Sequence, residues 1–317
     1  MQPRSRLLRS VPAWLTFLFL ADLLGLMPTL AEGTDACAFW PGDEIAAEDL
    51  ENDRIPVTTS RSGLDHWREM TVASSKRQPQ WVSPLITITP ALLSQVRYDV
   101  YDQTKSNGNK SWDFGNGKGI SFLPLPALEV LIGLPQYLYT PTGEGLTGLR
   151  GENFAIKGRI LSAPEDQGNY VLSLYLGALS PTGTIPAREP SDHWVWTPMI
   201  LFGKGWGNFD MMLNLGTQYA DGDNRNLATF FLYSLALQYR IGRISPSVEI
   251  SSGPTITRFL FFGTPGLFVT PQLLLGPFPA GAGLSFSGGI GYQIALNQVS
   301  LLEQYANALI VSFRMLF

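Results

Sequence analysis

One cysteine, two histidines and a charged fraction of 15% in 317 residues leave little material for several kinds of protein. The lone Cys37 excludes an intramolecular disulfide and any paired-thiolate metal site. His66 and His193 stand far apart, and no H-E-x-x-H or comparable ligand spacing surrounds either one. Soluble domains usually carry roughly 25% charged residues, so this chain is poorly charged for an ordinary soluble enzyme. Long hydrophobic runs are scarce too. Beyond the N-terminus, none approaches the roughly 20 apolar residues that a membrane-spanning helix requires. A net charge of −4 offers no bulk attraction to nucleic acid or anionic lipid.

What is present suits many short strands joined by turns. There are 32 Gly, 23 Pro and 12% aromatic residues, with Tyr and Trp available for interfacial belts. Arg4, Arg6 and Arg9 precede an apolar stretch from Val11 to Met27, interrupted only by Asp22, and then Thr29-Leu30-Ala31. That order predicts a secretory signal peptide over 1–31, with cleavage after Ala31 or as late as Ala36, against a permanent helical anchor as the alternative. Lipidation of Cys37 is disfavoured because Thr34-Asp35-Ala36 poorly matches the Leu-small-small triplet that precedes such a residue. Residues 32–82 form a polar N-terminal periplasmic segment with little core of its own, and 83–317 the remaining domain.

From Leu92 onward the texture alternates. About twelve strands are predicted near 92–103, 118–124, 127–139, 153–163, 169–180, 194–204, 208–220, 227–240, 244–252, 266–276, 282–294 and 305–317. Most approach the roughly 9–11 residues of a tilted spanning strand. The last strand carries Leu309, Val311, Phe313, Met315 and Phe317 on one face and Ala308, Ser312 and Arg314 on the other, with Ile310 as the exception. It resembles the closing strand of Gram-negative outer-membrane barrels, whose terminal Phe the assembly machinery recognises, so Phe313, Met315 and Phe317 read as an assembly signal. Counted back from a periplasmic C-terminus, connections 124–127, 163–169, 204–208, 240–244 and 276–282 are short. Those at 103–118, 139–153, 180–194, 220–227, 252–266 and 294–305 are longer. This asymmetry predicts a single antiparallel transmembrane β-barrel with short periplasmic turns and longer extracellular loops.

The alternation assigns faces. Phe231, Tyr233, Leu235, Leu237 and Tyr239 oppose Ser234, Ala236, Gln238 and Arg240; Phe209, Met211, Leu213, Leu215 and Tyr219 oppose Asp210, Asn214 and Gln218. With apolar rows toward lipid, Arg97, Asp99, Glu129, Lys157, Arg159, Asp210, Arg240, Glu249 and Arg314 point into the lumen. These charges either line a water-filled route and set selectivity, or pair across a narrow barrel and plug it.

A catalytic reading finds little support. Outer-membrane lipid hydrolases carry His-x-Ser on one strand face, but His193 is followed by Trp194-Val195 and His66 by Trp67-Arg68. Glu189, Ser191 and Asp192 beside His193 read as ordinary loop polarity. Gly288-Gly289-Ile290-Gly291 lies within a strand and reads as backbone relief for curvature or packing. Phe259–Phe262 reads as an interfacial aromatic run. The expectation is no enzyme, no metal and no cofactor.

Several short motifs recur in a familiar order: PLPALEVLIGLPQYLY from Leu123, NFAIKGRIL, LSPTG at 179–183, LFGKGWGNFDMMLNLG at 201–216, ALQYRIG with PSVE, and GGIGYQIA. Over Leu92–Phe317 the chain resembles the meta-pathway phenol-degradation family of outer-membrane barrels. That resemblance implies a porin-like passive transporter of small, apolar or aromatic solutes in the Gram-negative outer membrane. Its partners would be outer-membrane lipid and lipopolysaccharide, the barrel assembly machinery and the solute. The alternatives are a rim enzyme of lipase or protease type, and a non-conducting structural or binding barrel.

Overall fold

Large apolar residues alternating with small polar ones build a wall with two unlike faces, and the wall closes on itself. A computed structural model describes residues 63–141, 147–184, 193–221, 230–253, 266–281 and 283–317. Among them are β1 (Gln95–Thr104), β2 (Lys110–Phe114), β3 (Gly119–Leu125), β4 (Leu128–Gly133), β5 (Tyr137–Tyr139), β6 (Gly148–Leu149), β7 (Asn153–Ala163) and β8 (Tyr170–Leu179). There follow β9 (Val195–Trp206), β10 (Phe209–Ala220), β11 (Phe230–Tyr239), β12 (Ile244–Gly253), β13 (Gly266–Gly281), β14 (Leu284–Ala295) and β15 (Asn307–Leu316). Helix α1 (Gly63–Lys76) precedes the strands, and the short α2 (Gln298–Glu303) precedes β15.

Strands β1, β3, β4 and β7 to β15 make a closed antiparallel ring of twelve. The seam runs from Gln95↔Leu316 to Thr104↔Asn307, so the first and last strands pair along their whole length. Closure removes the unpaired edges that would otherwise invite aggregation. Strands β2, β5 and β6 extend the wall at one end, pairing β1 with β2, β2 with β5 and β5 with β6.

Connections 126–127, 164–169, 207–208, 240–243 and 282–283 gather at one end of the ring. The strand ends that bound 105–109, 140–147, 180–194, 221–229, 254–265 and 296–306 lie at the other. Two details correct the sequence reading. The long loop at 103–118 is mostly wall, because β2 pairs with β1 from Val100↔Phe114 to Thr104↔Lys110. The turn at 276–282 is also mostly strand: β13 runs past Pro277 and Pro279 to Gly281, with register shifts at those prolines. A bulge is where a sheet tolerates a residue that cannot donate to the ladder.

Outward rows are apolar and exposed, including Ile156, Leu174, Ile200, Phe231, Ile290 and Phe313. Inward rows are polar and buried, including Asp99, Ser173, Asp210, Glu249 and Thr270. Aromatics gather near both ends of the wall: Trp194 stacks on Trp196 at 6.0 Å near the longer loops, and Trp206 on Phe209 at 6.0 Å near the short turns. Such girdles sit at the two interfaces of a bilayer. No helix among the described residues is long and apolar enough to cross a membrane; in this molecule the strands form the membrane-facing surface.

Candidate functional site

An irregular stretch of chain in an interior is costly, because each buried backbone N–H and C=O needs a partner. Residues 77–94 are such a stretch. They have no regular structure, yet Trp81, Leu85, Thr87, Ala91 and Leu92 are buried. Their contacts fall on strands all around the closed ring, from β1, β4 and β7 to β12 and β15, so the stretch lies within the lumen. Three residues, Pro79, Pro84 and Pro90, lower its demand by having no N–H to satisfy.

The inward charges supply most of the missing partners. Glu249 accepts from the amides of Leu85, Ile86 and Thr87 at 2.8, 2.9 and 2.5 Å. Arg97 donates to the carbonyls of Pro84 and Leu85 at 3.1 and 2.6 Å and pairs with Asp99 at 2.7 Å. Arg314 donates to Pro84 at 3.0 Å and also to the Ser83 carbonyl. Lys157 donates to Thr89 and Ala91 at 3.1 and 2.7 Å and pairs with Glu129 at 2.8 Å; Glu129 in turn accepts from Leu93 N at 2.8 Å. Arg159 holds the Ser74 carbonyl at 2.8 Å, where α1 ends. Asp210 and Arg240 lie at the short-turn end. There Arg240 pairs with Asp210 at 2.9 Å and grips Glu165 with two hydrogen bonds at 2.9 and 3.0 Å.

Two apolar side chains anchor the stretch. Leu85 packs with Val82, Tyr101, Leu274, Ala308 and Ile310, so Ile310, the large apolar exception to the alternation of β15, has a partner. Trp81 packs with Val171, Met212 and Ala236, and its indole N–H donates to Asn169 at 3.0 Å. Wall glycines make the room. A Cβ at Gly291 would meet Leu85 at 2.6 Å, and one at Gly203 would collide with the Trp81 ring. The Gly288–Gly291 run is therefore packing relief, and what it receives is a luminal side chain.

Helix α1 docks at the short-turn end. Trp67 donates its indole N–H to Leu123 O at 2.7 Å and lies 6.0 Å from the Phe317 ring. Ser74 donates to Pro126 O at 2.5 Å.

Toward the longer loops the lumen stays partly empty. A cavity of about 290 Å³ is floored by Ile86 and Ile88 and walled by groups such as Tyr175, Met199, Asn214 and Leu232. None of the described residues lining it is charged. A smaller cavity of about 80 Å³ adjoins it, sharing Ile88, Gly117, Asn153 and Tyr175, and is lined by Arg97, Lys118, Glu129 and Lys157. Gly117 and Lys118 reach this place through a tight turn between β2 and β3. Asn116 and Gly117 have φ of 41° and 66°, and Lys118 N donates to Gly115 O at 2.9 Å. Positive φ at both central residues is the geometry that Asn-Gly favours.

At the rim, His193 Nδ1 lies 3.9 Å from Asp221, which accepts from Trp194 N at 2.8 Å. Glu189, Ser191, Asp192, Cys37 and Phe259–Phe262 lie outside the described residues. His66 is on the exposed face of α1. Sequence reading missed Trp81, Leu85, Gln78 and Lys118. The available signal was that WVSPLITITPALL is far more apolar than the PGDEIAAEDLENDR preceding it.

The fold and its filled lumen define a twelve-stranded β-barrel of the outer-membrane type with an internal segment. No family model matches the chain, and no curated protein matches it. Among solved structures it is similar to outer membrane phospholipase A from Escherichia coli, at 10% identity over 78% of this chain and 98% of that one, with a TM-score of 0.34. It is also similar to OmpT, an outer membrane protein of Vibrio cholerae in trimer form, at 10% identity over 71% of this chain and 98% of that one, with a TM-score of 0.27. The expectation of no enzyme is withdrawn on this finding, since one of these barrels is by name a phospholipase. At such a TM-score the likeness assigns no activity here.

Proposed function

We propose that this barrel resides in the Gram-negative outer membrane and passes small solutes with an apolar or aromatic part down their gradient, with residues 77–94 holding the route shut at rest. The observation carrying this reading is the uncharged cavity of about 290 Å³ on the longer-loop side of the luminal segment. An apolar cavity of roughly 150 Å³ is enough to hold benzene, so the space suits a one-ring or two-ring solute. Neutral amides and hydroxyls from Gln136, Asn214, Gln218 and Ser234 can orient a polar substituent without excluding the apolar body. Liposome swelling tests the proposal. Phenyl glucoside, uncharged and aromatic, should enter barrel-loaded liposomes several-fold faster than sucrose. Absence of flux for both, together with absence of conductance in planar bilayers, would sink it.

A second reading, a closed binding barrel, is favoured by the hydrogen bonds that fix the luminal segment to opposite walls. The same pair of measurements separates the two, because a closed barrel gives neither swelling nor current.

A further inference from the structure

Most luminal charges are committed to partners. Arg97 is held by Asp99, Lys157 by Glu129, and Glu249 and Arg314 by the backbone of the inner segment. Lys118 is the exception. Its ammonium has no hydrogen-bond or ion-pair partner among the described residues, although it lines the smaller cavity. The charges acting on it are Arg97 and Arg314 of like sign and Asp99 and Glu249 of opposite sign. With the Lys157–Glu129 pair that lines the same cavity, four cations share three carboxylates, which leaves one positive charge in excess. The turn presenting Lys118 is specifically built. Asn116 adopts a left-handed conformation, and Asn153 Nδ2 donates to Gly117 O at 2.6 Å, fastening the turn to β7. Tyr175 lines the same cavity and is common to both, and its hydroxyl likewise has no partner among the described residues. A cation therefore lines the small polar cavity, and a phenol lines both it and the larger uncharged one that it joins.

We propose that the lumen binds a small amphipathic monoanion, a carboxylate on an aromatic or short aliphatic body. Lys118 is its counter-charge, Tyr175 its neutral donor, and the uncharged cavity the seat of its body. A bare inorganic anion would leave the larger cavity unused, and a neutral solute would leave Lys118 unanswered. Charge-assisted hydrogen bonds are about twice as strong as neutral ones, so the head group selects and the cavity accommodates. This inference rests on the solute-passing reading and names the solute class within it.

Isothermal titration of the refolded full chain in detergent with benzoate, benzyl alcohol and acetate tests it. Benzoate should bind at one site at least tenfold more tightly than either of the others. Lys118→Met should weaken benzoate at least tenfold and leave benzyl alcohol unchanged, whereas Lys118→Arg should retain it. Equal benzoate affinity in wild type and Lys118→Met, or no benzoate binding at all, overturns the proposal. Should Lys118→Met fail to fold, benzoate must instead slow acetylation of Lys118 in the wild-type barrel, read by mass spectrometry; unchanged labelling overturns it equally. Swelling with phenyl glucoside is measured in parallel. Flux without Lys118-dependent binding removes this site alone, and binding without flux removes the transport reading alone.

Discussion

At the scale of single residues, Glu249 shows how this barrel treats charge. A fully buried carboxylate without compensation would be very costly, yet Glu249 has three backbone amides of the inner segment within 2.9 Å. Each buried donor left without a partner costs about 1–3 kcal/mol. Gln272 Oε1 also accepts from Leu85 N at 3.1 Å, so Glu249→Ala orphans the amides of Ile86 and Thr87. It should loosen residues 85–87 by roughly 2 kcal/mol or more, a rise in amide exchange of about thirtyfold or greater at about 1.4 kcal/mol per decade. Glu249→Gln, which keeps an acceptor oxygen, should fall between. Unchanged exchange at 85–87 in the alanine variant would mean that other contacts hold the segment. That Glu249 points inward is legible in the alternation of β12. Its partner is not, because the backbone it binds lies more than 160 residues away in sequence.

At the scale of elements, residues 77–94 and the seam between β1 and β15 depend on each other. Arg97 stands directly opposite Arg314 across the seam, and like charges in facing positions destabilise a sheet pair. Asp99 lies between them through Ser312, at 2.6 Å from the Ser312 hydroxyl, and the carbonyls of Ser83, Pro84 and Leu85 take the remaining donors. Displacing the segment would thus expose two guanidiniums to each other. Displacement can be forced from the wall, since a side chain at Gly291 would meet Leu85 at 2.6 Å. Gly291→Val should increase single-channel conductance over wild type by pushing Leu85 from its seat. Gly158→Val, where nothing lies within 4 Å, should leave conductance unchanged. Equal conductance in both variants would show that the segment does not control the route.

At the scale of the whole molecule, the wall is the part that the bilayer judges. Val311 lies mid-strand on β15, exposed on the outer face between Val100 and Ile290. Val311→Lys should destabilise the folded barrel in vesicles by about 2–4 kcal/mol, the cost of a basic side chain near the bilayer midplane. Urea titration of tryptophan fluorescence reads this, and a loss below about 0.5 kcal/mol would show that this face does not meet lipid.

The sequence by itself determined the wall: strand number, the two faces, the end that carries the short turns and the inward direction of nine charged residues. Each is a local property, because side-chain alternation has a period of two and turn length is a matter of a few residues. The closing strand, its outer face apolar and its inner face carrying Arg314, is readable in this way. Only the tertiary structure decided what those charges hold. The chain that fills the lumen has no periodicity to read, and its stability comes from hydrogen bonds and cavities contributed by strands distributed around the ring. Closure brings those groups within 3 Å of one backbone, and nothing short of closure could.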